Sequence, residues 1–124
     1  MNHFISLEEA IALTSHYRNR KEQILEESQR GKNILAQSET FDRAAFDQVL
    51  AQPGCTALRI YYGMKENDQV HAVIVGVNAS GQDMLPQAGA ALNDNGNEED
   101  EIHIIEIGQR CPDLCPEESP LNNP

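Results

Sequence analysis

The sequence predicts an α+β fold in which two amino-terminal helices pack on one face of a three-stranded, mainly antiparallel sheet. Two apolar stripes at helical spacing precede three runs that are rich in β-branched and aromatic residues. The last sixteen residues contain four prolines, which cannot continue a central strand. We therefore expect a single α+β domain over residues 1–107, followed by an extended Cys-Pro tail over residues 108–124.

The first helix is predicted over about residues 7–30. Ser6 and Glu9 match the capping box, in which the serine hydroxyl accepts a hydrogen bond from the N3 amide. An apolar stripe follows at helical spacing and runs out at Arg30 and Gly31. Its members are Leu7, Ala10, Ile11, Thr14, Tyr17, Ile24 and Leu25.

The second helix is predicted over about residues 41–51. Thr40 can cap its start, and Pro53 with Gly54 stops it. We expect Phe41 and Phe46 to anchor this helix in the core, because they are the large apolar side chains near its start.

Three strands are predicted, over about residues 57–63, 70–78 and 102–107. The first two are separated by the polar segment 65–69, which indicates an antiparallel hairpin. The second is apolar on both faces, as is typical of a covered central strand. The third strand ends at Gly108.

The charge is strongly negative and uneven. Of the formal net charge of −11, residues 1–64 carry eight acids and seven bases, whereas residues 65–124 carry twelve acids and two bases. Nucleic-acid binding depends on neutralising phosphates with Lys and Arg, so this field disfavours DNA and RNA. The most basic spot, Arg18 to Lys21, is expected to lie against acids of the second half or of a neighbouring subunit, unless it is an ordinary solvated face.

No secretory signal is expected at the amino terminus, and no apolar run is long enough to span a bilayer, so no membrane association is predicted. We expect a cytoplasmic protein. The chain has three cysteines, an odd number, which argues against a disulfide framework and for reduced thiols.

Two of the three cysteines, Cys111 and Cys115, lie four positions apart, and each precedes a proline. Such a pair could bind zinc or iron, with Cys55, His71 or His103 completing the site. It could also be a thiol redox couple, although the spacer is longer than in the usual CxxC motif and no helix follows. The third possibility is that both sulfurs only pack where the tail docks.

The histidines offer a second constellation. If the second and third strands pair, His71 and His103 could share a face and serve acid-base or metal chemistry. Strand alternation places Glu106 on the opposite face from His103. The alternative is that both histidines are half-buried packing residues. The chain has no glycine-rich phosphate fingerprint and no GxSxG motif.

A resemblance to a known family rests on three segments of the chain: GQRCPDLCPEESPLN, ETFDRAAFDQVLAQPGC and RIYYGM. Together they resemble a family of small bacterial proteins of Bacteroidetes type that end in a GxRCPxxCPxxSPLN-like tail and have no known activity. The similarity spans nearly the whole chain. It implies a bacterial, cytosolic, single-domain protein and assigns no function to any residue.

We interpret the chain as a non-enzymatic binding or assembly module without a cofactor. A homodimer through the first helix is expected, because that helix offers more apolar stripe than three strands cover; the positions concerned are Leu7, Ile11, Ile24 and Leu25. A different protein could be the partner instead. The alternatives are a metal protein ligated by Cys111 and Cys115, and a thiol redox protein.

Overall fold

The computed structural model describes residues 2–86, 103–111 and 114–123 of the chain. They fall into two units: the first comprises Met1–Glu39, Met64–Val70 and Gln109–Pro124, and the second comprises Thr40–Gly63 and His71–Gly108. The elements in chain order are α1 (Leu7–Arg20), β1 (Ser38–Thr40), α2 (Arg43–Leu50), β2 (Cys55–Met64), β3 (Val70–Asn78), β4 (Asp83–Met84) and β5 (Gln109–Cys111). The predicted α+β class is confirmed.

Helix α1 begins where the capping box places it. The Ser6 hydroxyl accepts a hydrogen bond from the Glu9 amide, at 3.1 Å. The Glu9 carboxylate accepts a hydrogen bond from the Ser6 hydroxyl, at 3.2 Å. In the usual capping box it accepts from the Ser6 backbone amide instead. Acids in the first turn and bases in the last turn complement the helix dipole.

The predicted end of α1 near residue 30 is wrong, because the helix stops at Arg20. The chain then turns through a short 3₁₀ helix at Glu27–Gln29. Arg30 folds back and donates hydrogen bonds to the backbone oxygens of Glu22, Gln23 and Leu25. These carbonyls accept hydrogen bonds from the Arg30 guanidinium, whereas in a longer helix they would accept them from backbone amides.

The first unit contains a two-stranded sheet formed by β1 and β5. The Gln37 amide donates to the Cys111 carbonyl, at 2.9 Å. Just before β1, the Ala36 carbonyl accepts from the Tyr17 hydroxyl of α1, at 2.6 Å. Ile34 and Cys111 are the buried apolar residues here. The first three residues of the predicted extended tail after Gly108 are thus a paired strand.

Helix α2 is slightly shorter than the predicted 41–51 and has Asp42, not Thr40, at its N-cap position. Phe41 and Phe46 stack with their ring centroids 5.8 Å apart. The core of the second unit consists of Val49, Ile74 and Ile105, with Phe41, Ala45, Phe46, Cys55, Leu58 and Ala72 packed against it. This confirms the two phenylalanines as core anchors.

The second unit contains a sheet with the strand order β2-β3-β4, so β3 is central, as predicted. The Thr56 hydroxyl reaches the Val77 carbonyl at one end of β2, and Gly63 approaches His71 at the other, as in an antiparallel hairpin. Strand β2 is half exposed, and its apolar side chains Ile60, Tyr62 and Met64 face solvent.

The predicted third strand, 102–107, is wrong as an element. Residue 102 lies outside the described residues, and Ile105 alone forms a bridge, antiparallel to Ile74. Ile107 has φ +66°, in the left-handed region, which ends the extended backbone. The third strand of the sheet is instead β4, with Gly76 opposite Met84. The packing of both helices on one sheet face stays a prediction.

Asp83 of β4 ties its strand to β2 by accepting hydrogen bonds from the Tyr61 hydroxyl and the Arg59 guanidinium. The Tyr61 hydroxyl, and to a smaller degree Arg59, lowers the pKa of Asp83 below its ordinary value. The same hydrogen bond raises the pKa of Tyr61. The two outer strands are thereby linked across β3.

We expect Asp83 to make stability depend on pH. Because its pKa is depressed in the folded state, its contribution is present at neutral pH and is lost as the pH falls below about 4. Urea unfolding of the wild type should therefore show a lower midpoint at acidic pH, and Asp83→Asn should reduce that difference. Tyr61→Phe should reproduce part of the effect. An unchanged difference in both variants would contradict the assignment.

Gly76 gives a second prediction, because β3 and α2 approach each other closely at this residue. A Cβ here would lie 3.0 Å from Cys55 Sγ, 3.2 Å from Gln52 Nε2 and 3.3 Å from Val49 Cγ1. Gly76→Ala should lower the free energy of unfolding by about 1–3 kcal/mol, measured by urea unfolding. Adding Cys55→Ala should recover part of this loss. Strictly additive effects would mean that the sulfur is not the obstacle.

Candidate functional site

Cys111 and Cys115 form a disulfide, with their Cα atoms 4.5 Å apart. The expectation of reduced thiols is therefore wrong for this pair. An odd cysteine count excludes complete pairing, but it does not exclude one local bridge that leaves a single thiol over. That thiol is Cys55, which is free and half-buried on β2.

This disulfide contributes little to the stability of the folded state. It joins residues only four positions apart within one segment. In the chain-entropy description, closing a loop of this size stabilises the folded state by about 2 kcal/mol, against about 4.7 kcal/mol for a loop of 100 residues. The bridge does not connect distant elements, so holding the fold together is not its main effect.

The two sulfurs have unequal surroundings. Cys111 is 2% exposed, whereas Cys115 is an exposed residue. Cys111 Sγ lies 3.4 Å from the side-chain oxygen of Gln37. A disulfide sulfur carries no proton, so this contact becomes a hydrogen bond only when Cys111 is reduced to a thiol. Cys115 is therefore the more accessible of the two residues, and Cys111 has the side-chain oxygen of Gln37, an exposed residue, beside its sulfur.

Arg110, the residue before Cys111, is 4% exposed. Its Nη2 donates to the carbonyls of Asn33 and Ile34, at 2.8 Å and 3.0 Å. Within the described part of the chain, its Nε and Nη1 are buried without a hydrogen-bond partner. Burial raises the pKa of the Tyr17 phenol, and the positive charge of Arg110 acts in the opposite direction.

The predicted metal ligands do not form a group in the described residues. Cys111 and Cys115 belong to the first unit, whereas Cys55, His71 and His103 belong to the second. Over residues 2–86, 103–111 and 114–123, no three His, Cys, Asp or Glu side chains come together. Metal binding needs thiolates, so the two bridged sulfurs could serve only after reduction. The zinc or iron site stays a prediction.

His71 and Glu106 meet in the second unit, with Nδ1 and Oε1 3.3 Å apart. Both side chains are largely buried. His103 lies elsewhere in the same unit, and its backbone amide donates to the Gln52 side-chain oxygen at 2.6 Å. Glu106 was a candidate beside His71 and His103, but strand alternation set it on the face opposite His103, so its approach to His71 was not expected. Within the described residues His71 Nδ1 makes no hydrogen bond, so the approach to Glu106 does not by itself fix the orientation of the ring.

The outer side of α1 carries an apolar groove of about 330 Å³, which we call the α1 groove. Its lining residues are Leu13, His16, Tyr17, Arg20, Lys21 and Ile24. Leu13 and Ile24 are 65% and 66% exposed. No residue of α1 is buried.

The four positions predicted for a dimer interface differ in their exposure to solvent. Leu7 and Ile24 are exposed, whereas Ile11 and Leu25 are half-buried within the chain. Leu13 was missed, because it lies off the stripe that starts at Leu7. The signal was available: an apolar residue on the polar side of an amphipathic helix has no core to enter.

The basic end of α1 has partners in its own unit. Arg18 donates to the backbone oxygen of Leu121. Lys21 Nζ lies 3.3 Å from Glu22 Oε2, so the acid it contacts comes from the first half of the chain. The hydrogen bond from the Gly31 amide is the main cause that lowers the pKa of Glu22. The pairing of these bases with a neighbouring subunit stays a prediction.

Arg110→Lys tests the importance of the buried guanidinium. Lysine keeps the charge, is more costly to bury and cannot serve both carbonyls with one rigid fork. The free energy of unfolding should fall by about 1–3 kcal/mol in urea titrations. The matched control is Arg43→Lys, at an exposed helical ion pair, which should change it by less than about 0.5 kcal/mol. Equal effects at the two positions would contradict the structural role of Arg110.

Comparisons of the chain with protein-family models, with curated proteins and with solved structures found no match. Among the described residues, no helix combines the length and the apolar character that crossing a membrane requires. The function therefore has to be argued from the geometry of the α1 groove and of the disulfide.

Proposed function

We propose that the chain is a non-enzymatic binding or assembly module that forms a homodimer through α1. One observation carries the proposal: Leu13 on α1 and Ile24 just after it both line the α1 groove, and each is about two-thirds exposed. Single exposed apolar residues are ordinary, but apolar side chains that flank a groove are typical of a surface covered by a partner.

The two sides of α1 have different roles. At 100° per residue, the half-buried residues Ile11, Thr14 and Arg18 lie on one side of the helix, and Leu13 and Arg20 lie on the other. The first side packs within the unit. The second side therefore remains available to a second copy.

Charge favours a second copy in antiparallel orientation. On the side of α1 that carries Leu13, Glu9 lies in the first turn and Arg20 in the last turn. An antiparallel, two-fold symmetric pair brings the acidic turn of each copy towards the basic turn of the other, whereas a parallel pair opposes like charges. Because each copy has a net charge of −11, local complementarity is needed to offset their mutual repulsion.

The interface is small. A helix of 14 residues is about 21 Å long and about 10 Å wide, which is well below the roughly 800 Å² per partner of a standard interface. We therefore expect a dimer that dissociates on dilution through the micromolar range. A bacterial, cytoplasmic setting without a nucleic-acid target goes with this proposal, and the acidic charge supports the exclusion of nucleic acid.

The test is light scattering coupled to gel filtration over a concentration series. Wild type should change from monomer to dimer with rising concentration, and Leu13→Asp or Ile24→Asp should remain monomeric because each places a charge in the apolar contact. Leu85→Asp is the matched control, an exposed leucine in the second unit, and should dimerise like wild type. A wild type that is monomeric at every concentration would overturn the homodimer.

A further inference from the structure

We propose that the Cys111–Cys115 disulfide is a thiol–disulfide exchange site, attacked at Cys115 by a thiolate of another molecule. This activity is independent of the proposed dimer. It rests on four features of the first unit: the unequal exposure of the two sulfurs, the acceptor beside Cys111, the hydrogen bonds that preserve the ring, and the small loop that the bridge closes.

Exposure decides which sulfur is attacked. A thiolate must approach the sulfur along the line of the S–S bond, so access controls the rate. Cys111, on β5 beside β1, is 2% exposed, whereas Cys115 and its neighbour Leu114 are exposed residues. The incoming thiolate therefore bonds to Cys115 Sγ, and Cys111 Sγ is the leaving group.

The Gln37 side chain lies where it can stabilise the Cys111 thiol that the reaction releases. When the S–S bond breaks, Cys111 departs as a thiolate and takes a proton from solvent. Its S–H can then donate to Gln37 Oε1, which already lies 3.4 Å from the sulfur. The hydrogen bond stabilises the reduced form of Cys111 in a place where an unpartnered buried thiol would have no polar contact.

The surrounding backbone keeps the two cysteines close after reduction. Cys111 is held by its carbonyl, which accepts from the Gln37 amide at 2.9 Å, and the Leu114 amide donates to the Arg110 carbonyl at 2.8 Å. Neither bond depends on the disulfide. Closure of the ring is then an intramolecular reaction at high effective concentration, which makes the reduction reversible.

The chemistry balances with two thiols. The first thiolate attacks Cys115 and forms a mixed disulfide, releasing Cys111 as a thiol after protonation. A second thiol attacks the sulfur of the first donor, so that the donors leave as a disulfide and Cys115 leaves as a thiolate. In total, the protein disulfide is reduced to a dithiol and two donor thiols are oxidised to one disulfide.

The experiment uses the full chain carrying Cys55→Ser, which removes the one other cysteine. The folded protein is incubated with reduced glutathione, quenched in denaturant that contains N-ethylmaleimide so that the buried Cys111 thiol is also alkylated, and mapped by mass spectrometry. Glutathione should be found on Cys115 and maleimide on Cys111. Dithiothreitol should yield two thiols per chain without loss of circular dichroism signal, and oxidised glutathione should restore the bridge.

Single variants provide the control. In the Cys55→Ser background and with oxidised glutathione as the reagent, the Cys115 thiol of Cys111→Ser should form a mixed disulfide, releasing reduced glutathione, at least about tenfold faster than the Cys111 thiol of Cys115→Ser, because access differs. The mapping on the unmutated pair does not depend on these variants folding. Glutathione found first on Cys111, reduction that requires denaturant, or dithiols that oxidised glutathione cannot rejoin would each overturn the proposal.

Discussion

The first unit depends on one constraint, the buried guanidinium of Arg110. A buried charge needs polar partners, and Arg110 obtains them from the carbonyls of Asn33 and Ile34. To present both oxygens, the chain turns sharply at Asn33, which has φ +63°. Asparagine is among the few residues that adopt this left-handed conformation readily. The charge on β5 thus fixes the segment that leads into β1.

The α1 groove and the disulfide are both attached to that segment. Residues 33–37 accept the Arg110 hydrogen bonds, pair with Cys111 and hold α1 through the Tyr17 hydroxyl on Ala36. The α1 groove and the disulfide therefore share one scaffold. Both features lie in the first unit, although the dimer and the disulfide exchange proposed for them are independent of each other.

What could be predicted from the sequence were the features determined by neighbours along the chain. The capping box started α1, and the β-branched run from Val70 gave the bounds of β3. The end of α1 was missed, because the hydrogen bonds that Arg30 makes backwards are not visible in a helical stripe. The disulfide at Cys111 was missed because an odd number of cysteines shows only that not all of them can pair, and says nothing about one pair of neighbours. The exposure of Leu13 was missed although its position off the apolar stripe of α1 indicated it.

Strand β2 has a consequence for handling the protein. Within the described residues it is paired with β3 alone, and it displays Ile60 and Tyr62 to solvent. The one charge in the stretch 57–64 is Arg59, and Asp83 partly neutralises it. An exposed, nearly uncharged apolar edge is a template for cross-β aggregation. Protonating Asp83 weakens the link between β2 and β4, and acid also brings the chain towards its isoelectric point of about 4.6, so this edge should form fibrils more readily in mild acid than near neutrality.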